Sequence, residues 1–221
     1  MMRTIRDMAQ CSAPRGGQVP SFRFELRCEG RVAGIDEAGR GPLAGPVFAA
    51  AAVIDRARAT RKLLRLIDDS KKLTLEQREE AYESMIGSGV VHFAIAEASV
   101  EEIDSINILQ ATFLAMRRAL RALGEVQPDV VLVDGDRLPP QLGCRGETIV
   151  GGDAHSYSIA AASILAKVAR DRYMSQLAAT YPDYGWQTNR GYGSAGHLEA
   201  LTLLGPTPHH RRSFAPVTRL L

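Results

Sequence analysis

Four acidic residues sit where an α/β protein can put carboxylates to work. Asp36 ends the apolar stretch Val32-Ala33-Gly34-Ile35 and is followed at once by Glu37. Asp134 ends a second stretch, Val130-Val131-Leu132-Val133, with Gly135 behind it, and Asp153 follows Gly151-Gly152 ahead of a long helical pattern. Most Asp and Glu side chains are solvated surface groups, so those at the ends of apolar strands are the informative ones. Strand ends along one edge of an α/β sheet face a common crevice. Four carboxylates gathered there repel one another unless divalent cations lie between them. Hard oxygen donors favour Mg²⁺ or Mn²⁺ over zinc, and two such ions a few ångströms apart serve in-line displacement at a phosphodiester. The period of a strand stands against this, because neighbours point to opposite faces. Asp36 and Glu37 share a site only if the strand ends or bends between them, and Gly39 and Gly41 permit a bend. The other reading is a solvated strand end with one structural salt bridge, and spacing alone leaves both open.

The elements that must hold these residues are legible in outline. Val32 to Asp36 reads as a buried strand, Val47 to Ile54 as a second after the turn Gly39-Arg40-Gly41-Pro42, and His92 to Ala98 as a third. Thr74-Leu75-Glu76-Gln77 has the form of a capping box and opens a helix to Ile86, closed near Gly87-Ser88-Gly89. Leu109, Phe113, Met116, Leu120 and Leu123 recur at helical spacing, predicting a helix over Ile108 to Leu123. Val130 to Val133 reads as a central strand covered on both faces, Thr148 to Val150 as a shorter one. Ser156 to Thr180 reads as a long helix ended by Pro182, and Gly196 to Leu204 as a last helix stopped by Gly205-Pro206. Strands come first and then alternate with helices. That order predicts one α/β domain whose mixed sheet has three early antiparallel strands followed by two parallel ones.

Bulk properties exclude several classes. At 221 residues, 45% hydrophobic and 24% charged, the chain can build a core without staples. No stretch approaches the ~20 apolar residues of a membrane helix. Residues 1–22 carry Pro14, Gly16, Gly17 and Pro20 but no apolar segment of a secretory signal, and read as a flexible lead before a domain over 23–221. Cys11, Cys28 and Cys144 are odd in number and far apart, the pattern of free thiols in a reducing cytoplasm. The net charge of +2 says little about partners, although most basic residues are arginine, which suits bidentate phosphate contacts.

The same residues carry a family resemblance. Ala33-Gly34-Ile35-Asp36-Glu37-Ala38-Gly39-Arg40-Gly41-Pro42 resembles the first motif of bacterial ribonuclease HII, of the type II RNase H family. Asp69-Ser70-Lys71-Lys72-Leu73, Val133-Asp134-Gly135 and Gly152-Asp153 continue it in order. The run Ser158 to Val168, Tyr184-Gly185, Gly191-Tyr192 and His209-His210-Arg211-Arg212-Ser213-Phe214 complete it. The resemblance implies an RNase H-like mixed five-stranded sheet flanked by helices, with a helical C-terminal part. It implies a monomeric, metal-dependent endoribonuclease acting on RNA/DNA hybrids and on duplex DNA containing ribonucleotides, with Mg²⁺ or Mn²⁺ held by Asp36, Glu37, Asp134 and Asp153. The turn Gly39-Arg40-Gly41 and Tyr192 would read the junction between a ribonucleotide and the next deoxynucleotide, leaving a 3′-hydroxyl and a 5′-phosphate. Ser70 and Lys71 would hold the phosphate backbone, where the plain reading is a solvated charged turn. The chain departs from many relatives at His155, where they carry lysine, so that a phosphate contact there weakens as pH rises.

Other features read more simply. Lys167, Arg170 and Asp171 form one helix side, with Lys167 and Asp171 as i,i+4 partners in a structural role. His209-His210-Arg211-Arg212 reads as a basic surface or a docked tail rather than a metal box, and Cys144 as inert. Two competing activities are a four-carboxylate 3′–5′ exonuclease, whose first strand typically shows Asp-x-Glu, and a non-catalytic binder of hybrid duplexes. A type III relative would normally carry a large additional N-terminal domain, which the short lead argues against.

Overall fold

The computed structural model describes residues 19–221. The lead expected over residues 1–22 lies outside the described residues as far as residue 18. Of its last four, Ser21 N–H donates to the His155 carbonyl at 3.1 Å, and the Phe22 ring packs on Tyr157 with centroids 4.9 Å apart.

Five strands form one mixed sheet in the order β3-β2-β1-β4-β5. They are β1 (Val32–Ala38), β2 (Val47–Ile54), β3 (Val91–Ala98), β4 (Val130–Asp134) and β5 (Arg145–Ile149). The pairs β1–β2 and β2–β3 are antiparallel, while β1–β4 and β4–β5 are parallel, as the order of elements predicts. The helices are α1 (Arg61–Leu64), α2 (Leu75–Gly87), α3 (Val100–Ala122), α4 (Tyr157–Thr180), α5 (Trp186–Asn189), α6 (Ala195–Leu204) and α7 (Ala215–Thr218). α3 covers one face of the sheet; α4, with α1 and α2, covers the other. The β2 sequence VFAAAAVI serves both layers. Val47, Ala49, Ala51 and Val53 pack with α3, while Ala50, Ala52 and Ile54 pack with α4. Its small side chains let both helices lie close to the sheet.

The closest approach is at Gly34, where a Cβ would stand 2.1 Å from the Ser158 carbonyl carbon and 2.2 Å from the Ile159 nitrogen. Both are backbone atoms of α4, so no side chain can swing away. Gly34→Ala is therefore expected to exceed the ~1–3 kcal/mol of ordinary overpacking, and a denaturant midpoint close to wild type would show that α4 lifts freely off β1.

Two boundaries differ from expectation. α3 starts at Val100, because Ser99 and Glu102 form a second capping box. The helix expected from Ile108 is its second segment. Asn107 breaks the backbone at φ 66°, ψ 162°, and its side chain accepts from the N–H groups of Leu109 and Gln110, capping the helix anew. β5 occupies Arg145–Ile149 rather than 148–150. It is an edge strand, defined by its pairing with β4 rather than by an apolar pattern, and Val150 is mostly exposed. The Thr74–Gln77 capping box is present as read.

The C-terminal part has its own small core around Trp186, with Tyr184, Met174 and Leu201. The segment His209–Arg212 enters this core, which makes it a docked tail: His210 and Arg211 are buried, so the basic-surface alternative fails for both. Burial lowers the His210 pKa from 6.5 to about 4, helped by the nearby His197 and His209. The unfolded chain takes up this proton more readily than the folded one. The stability it represents is complete above about pH 6.5 and is lost as pH falls towards about 4, roughly 3 kcal/mol in all. Carboxylates titrate in the same range, so the proper measurement is a difference. Between about pH 7 and pH 4, wild type is expected to lose stability relative to His210→Gln; parallel curves would contradict it.

Candidate active site

The C-terminal ends of β1 and β4 lie side by side. Their register pairs Ile35 with Val133, and one residue further come Asp36 and Asp134. The pleat puts Ile35 and Val133 on the α3 face and turns Asp36 and Asp134 towards α4. Glu37 turns the other way, into a cleft of about 290 Å³ that it shares with Asp134, Arg40, Thr112 and Arg137. The alternation expected to separate Asp36 from Glu37 is thus real, and Asp134 is close enough to both to act on them electrostatically. Asp153 joins from the short turn between β5 and α4. Gly152 N–H donates to Asp134 Oδ1 at 2.6 Å, which ties this turn to the end of β4. Gly152 is closely covered: a Cβ would meet Ile159 Cδ1 at 2.5 Å, and that side chain would have to shift.

Electrostatics mark the four as one group. Burial raises the Asp36 pKa well above the usual carboxylate range, and the charges of Glu37 and Asp134 raise it further. Burial raises Glu37 too, Arg40 opposing and Asp134 adding to it. Asp134 is raised by burial and by Asp153, against the Gly152 N–H that favours its charged form. A site that penalises its own negative charge is suited to a cation. Among the described residues no three His, Cys, Asp or Glu side chains stand close enough together to hold a metal ion as they are placed. The donors are nevertheless all hard oxygens, and one cation already lies among them: Lys71 Nζ is 2.8 Å from Asp153 Oδ2. Burial alone would lower the Lys71 pKa, but Asp153, Asp36 and Asp69 raise it on balance. The residues fit a divalent ion by donor chemistry and by this charge deficit.

The remaining expected residues divide. Arg40 is half-exposed, with its guanidinium 3.4 Å from Glu37 Oε1. Tyr192 is 48% exposed, and its ring edge lies 3.6 Å from where a Gly41 Cβ would stand, so turn and aromatic form one surface. Gly39 is required from behind. It has φ +94°, and a Cβ would strike the Arg170 guanidinium, so the protein interior by itself calls for glycine here. Ser70 is buried, with its hydroxyl 2.8 Å from Ser163 Oγ. Of the expected Ser70–Lys71 pair, Lys71 makes the direct contact with a carboxylate, while Ser70 lies behind Ser163. His155 has its pKa lowered by burial and by Arg23.

Sequence reasoning missed what supports the turn. Arg211 is fully buried and donates to the carbonyls of Gly39, Arg40, Gly45 and Pro46. Arg170 donates to the carbonyls of Pro46, Ala44 and Arg190. Burial lowers both guanidinium pKa values without discharging them at neutral pH. With carbonyls drawn inward, the turn is fixed from below. Reading His209-His210-Arg211-Arg212 as a basic surface or a docked tail does not extend to this role, because the carbonyls that surround Arg211 are distant in the chain. Lys167 and Asp171 pair at 2.6 Å, in the structural role expected.

Comparison with known proteins agrees with this arrangement. The family model described as Ribonuclease HII matches residues 33–217. A Ribonuclease HII of Paramagnetospirillum magneticum is 57% identical, over 92% of this chain and 99% of that protein; one from Rhodospirillum rubrum is also 57% identical, over 92% of each. Among solved structures, the ribonuclease H2 of Pyrococcus horikoshii superposes with a TM-score of 0.70 at 29% identity, over 86% of this chain and 96% of that one. Bst-RNase HIII in complex with Mn²⁺ shares the fold, with a TM-score of 0.66 at 20% identity, over 86% of this chain and 68% of that one. The chain belongs to the ribonuclease HII family, a family of metal-dependent endoribonucleases that act on RNA/DNA hybrids.

Proposed function

We propose that this chain cleaves the RNA strand of RNA/DNA hybrids and also nicks duplex DNA at single embedded ribonucleotides, by two-metal-ion in-line attack that leaves a 3′-hydroxyl and a 5′-phosphate. The observation that carries the reading is the set of four carboxylates at one sheet edge, three of them with raised pKa values caused partly by one another. Asp36, Glu37, Asp134 and Asp153 would hold Mg²⁺ or Mn²⁺, whose chemistry there is to activate water and to stabilise charge on the leaving oxygen. Asp134 is oriented for this by the Gly152 N–H, and Asp36 by the Glu37 N–H at 2.7 Å. Lys71, whose side chain is largely exposed, can leave Asp153 for a nearby phosphate. Gly39-Arg40-Gly41 and Tyr192 would read the junction: the 2′-hydroxyl distinguishes RNA from DNA, and a ring stacks most closely on a sugar that lacks it.

Among the described residues no helix is long and apolar enough to cross a membrane, and Cys28 and Cys144 are free thiols; the chain is proposed to meet these substrates as a cytoplasmic monomer. The test is cleavage of two duplexes, one with a single ribonucleotide and one a long hybrid, with the ends of each product mapped. Cutting on the 5′ side of the lone ribonucleotide, with a 5′-phosphate on the fragment that keeps it, is expected. A 2′,3′-cyclic phosphate product would contradict the mechanism, because it requires the ribose 2′-oxygen and not water as the nucleophile.

A further inference from the structure

The small C-terminal core holds a chain of buried rings that ends at Tyr192. His197 and His210 are 0% and 1% exposed, and their Nε2 atoms are 3.1 Å apart. Trp186 Nε1 lies 3.1 Å from His197 Nε2. An indole N–H can only donate, so this Nε2 accepts, and the single proton of a neutral His197 is on Nδ1. There it faces the Tyr192 carbonyl oxygen at 2.8 Å. His210 Nδ1 accepts from the Thr207 N–H at 2.9 Å, which puts the His210 proton on Nε2, donating to His197. This assignment of tautomers gives every contact a donor and an acceptor, with the His197 Nε2 lone pair shared by Trp186 and His210 and that of His210 Nδ1 shared by the Thr207 N–H and hydroxyl.

The Tyr192 carbonyl therefore has two donors, His197 Nδ1 and Ser194 N–H, both at 2.8 Å. Upstream, the Gly191 carbonyl accepts from Leu43 N–H at 2.8 Å. The Tyr192 ring is nearly half exposed, so its stance beside Gly41 is set chiefly by the backbone it grows from. We infer that His197 is a positioning residue for Tyr192: its Nδ1–H fixes the Tyr192 carbonyl and so aims the ring at the surface formed with Gly41, while its Nε2 ties that carbonyl to Trp186 and His210 inside the core. This rests on the reading of Tyr192 as the residue that meets the ribonucleotide junction.

Two substitutions separate the ends of the imidazole. His197→Gln puts an amide at the Nε2 end, keeping an acceptor for Trp186 and His210 and losing the bond to Tyr192. His197→Asn puts it at the Nδ1 end, keeping that bond and leaving the indole without its acceptor. Trp186 is the only tryptophan in the sequence, so its emission reports the inner end directly. His197→Gln is expected to keep wild-type emission and to lose about fivefold in single-turnover cleavage at a lone ribonucleotide, the effect of one hydrogen bond. His197→Asn is expected to shift the emission and lower the melting temperature, yet to cleave at close to the wild-type rate per folded molecule. A merely structural histidine gives the reverse order, with Asn the worse in every readout; that result, or wild-type cleavage by His197→Gln, overturns the assignment. Tyr192→Ala in the same assay separates the two failures. If it cleaves like wild type, the junction reading falls and this inference with it; if it is impaired while His197→Gln is not, only the inference falls. Should neither His197 variant fold, nitrogen NMR of the wild-type imidazoles decides: His197 protonated at Nδ1 is required, and protonation at Nε2 overturns it.

Discussion

Asp36→Asn and Asp134→Asn should each lower cleavage under saturating Mg²⁺ by at least about a hundredfold while leaving the fold intact, since metal-borne charge stabilisation amounts to several kcal/mol. The amide keeps the shape of the side chain, and its oxygen can still accept the Glu37 N–H at position 36 or the Gly152 N–H at position 134. Only the charge goes. Its removal should also be felt without metal. Burial and neighbouring negative charge raise both carboxyl pKa values in the folded state above the unfolded value of 3.8. A carboxyl so shifted favours folding most fully below its unfolded pKa, and that contribution is lost as pH rises through the folded value. At neutral pH the metal-free carboxylate is thus a cost to the fold. Each Asn variant should melt at or above the wild-type temperature in chelator, the difference closing as pH falls towards 3.8. Near wild-type cleavage by either variant would remove that residue from the metal site. Lower stability in chelator would mean that Lys71 and the local N–H donors already offset the repulsion.

The second large effect is expected at Tyr192. Stacking of an aromatic ring on a nucleotide is worth ~1–3 kcal/mol, so Tyr192→Ala should slow single-turnover cleavage at a lone ribonucleotide by roughly 5- to 150-fold if the contact is made only in the transition state. Tyr192→Phe keeps the ring and should lose much less. Affinity for plain DNA duplex should change little in either, because phosphate contacts lie with other groups. The ring is about half exposed beside Gly41 and belongs to no buried core cluster, so the melting temperature of Tyr192→Ala is expected to stay close to wild type. Cleavage of both the single-ribonucleotide duplex and the long hybrid at wild-type rates by Tyr192→Ala would reduce this loop to a structural role.

Much of this molecule is readable from its sequence because its central elements obey one period at a time. Val130–Val133 is apolar without interruption, as a strand covered on both faces must be, and it ends in the carboxylate that matters. The Thr74 capping box is a local signal and reads locally. All but one of the failures depend on partners distant in the chain; the start of α3 is the local exception. β5 is a strand because β4 lies beside it, not because its residues alternate. The Ser99–Glu102 box was as plain in sequence as that at Thr74, but the Asn107 break divides the helical pattern. Ser70 reads as part of a polar turn until Ser163 is found opposite it. Arg211 reads as surface or docked tail until the carbonyls of four distant residues, Gly39, Arg40, Gly45 and Pro46, are seen to turn towards it. A carboxylate at a strand end announces a site; the cations that hold a turn in place from inside do not.

The most direct test of the central claim uses a covalently closed circular duplex with one internal ribonucleotide, incubated with Mg²⁺, with Mn²⁺ or with chelator. A cluster of carboxylates that works only with divalent ions, in an enzyme that needs no strand end, should convert closed circles to nicked ones in either metal, at that ribonucleotide alone, and should do nothing in chelator. Nicking in chelator, or circles left closed in both metals while linear ends are digested, would contradict the account.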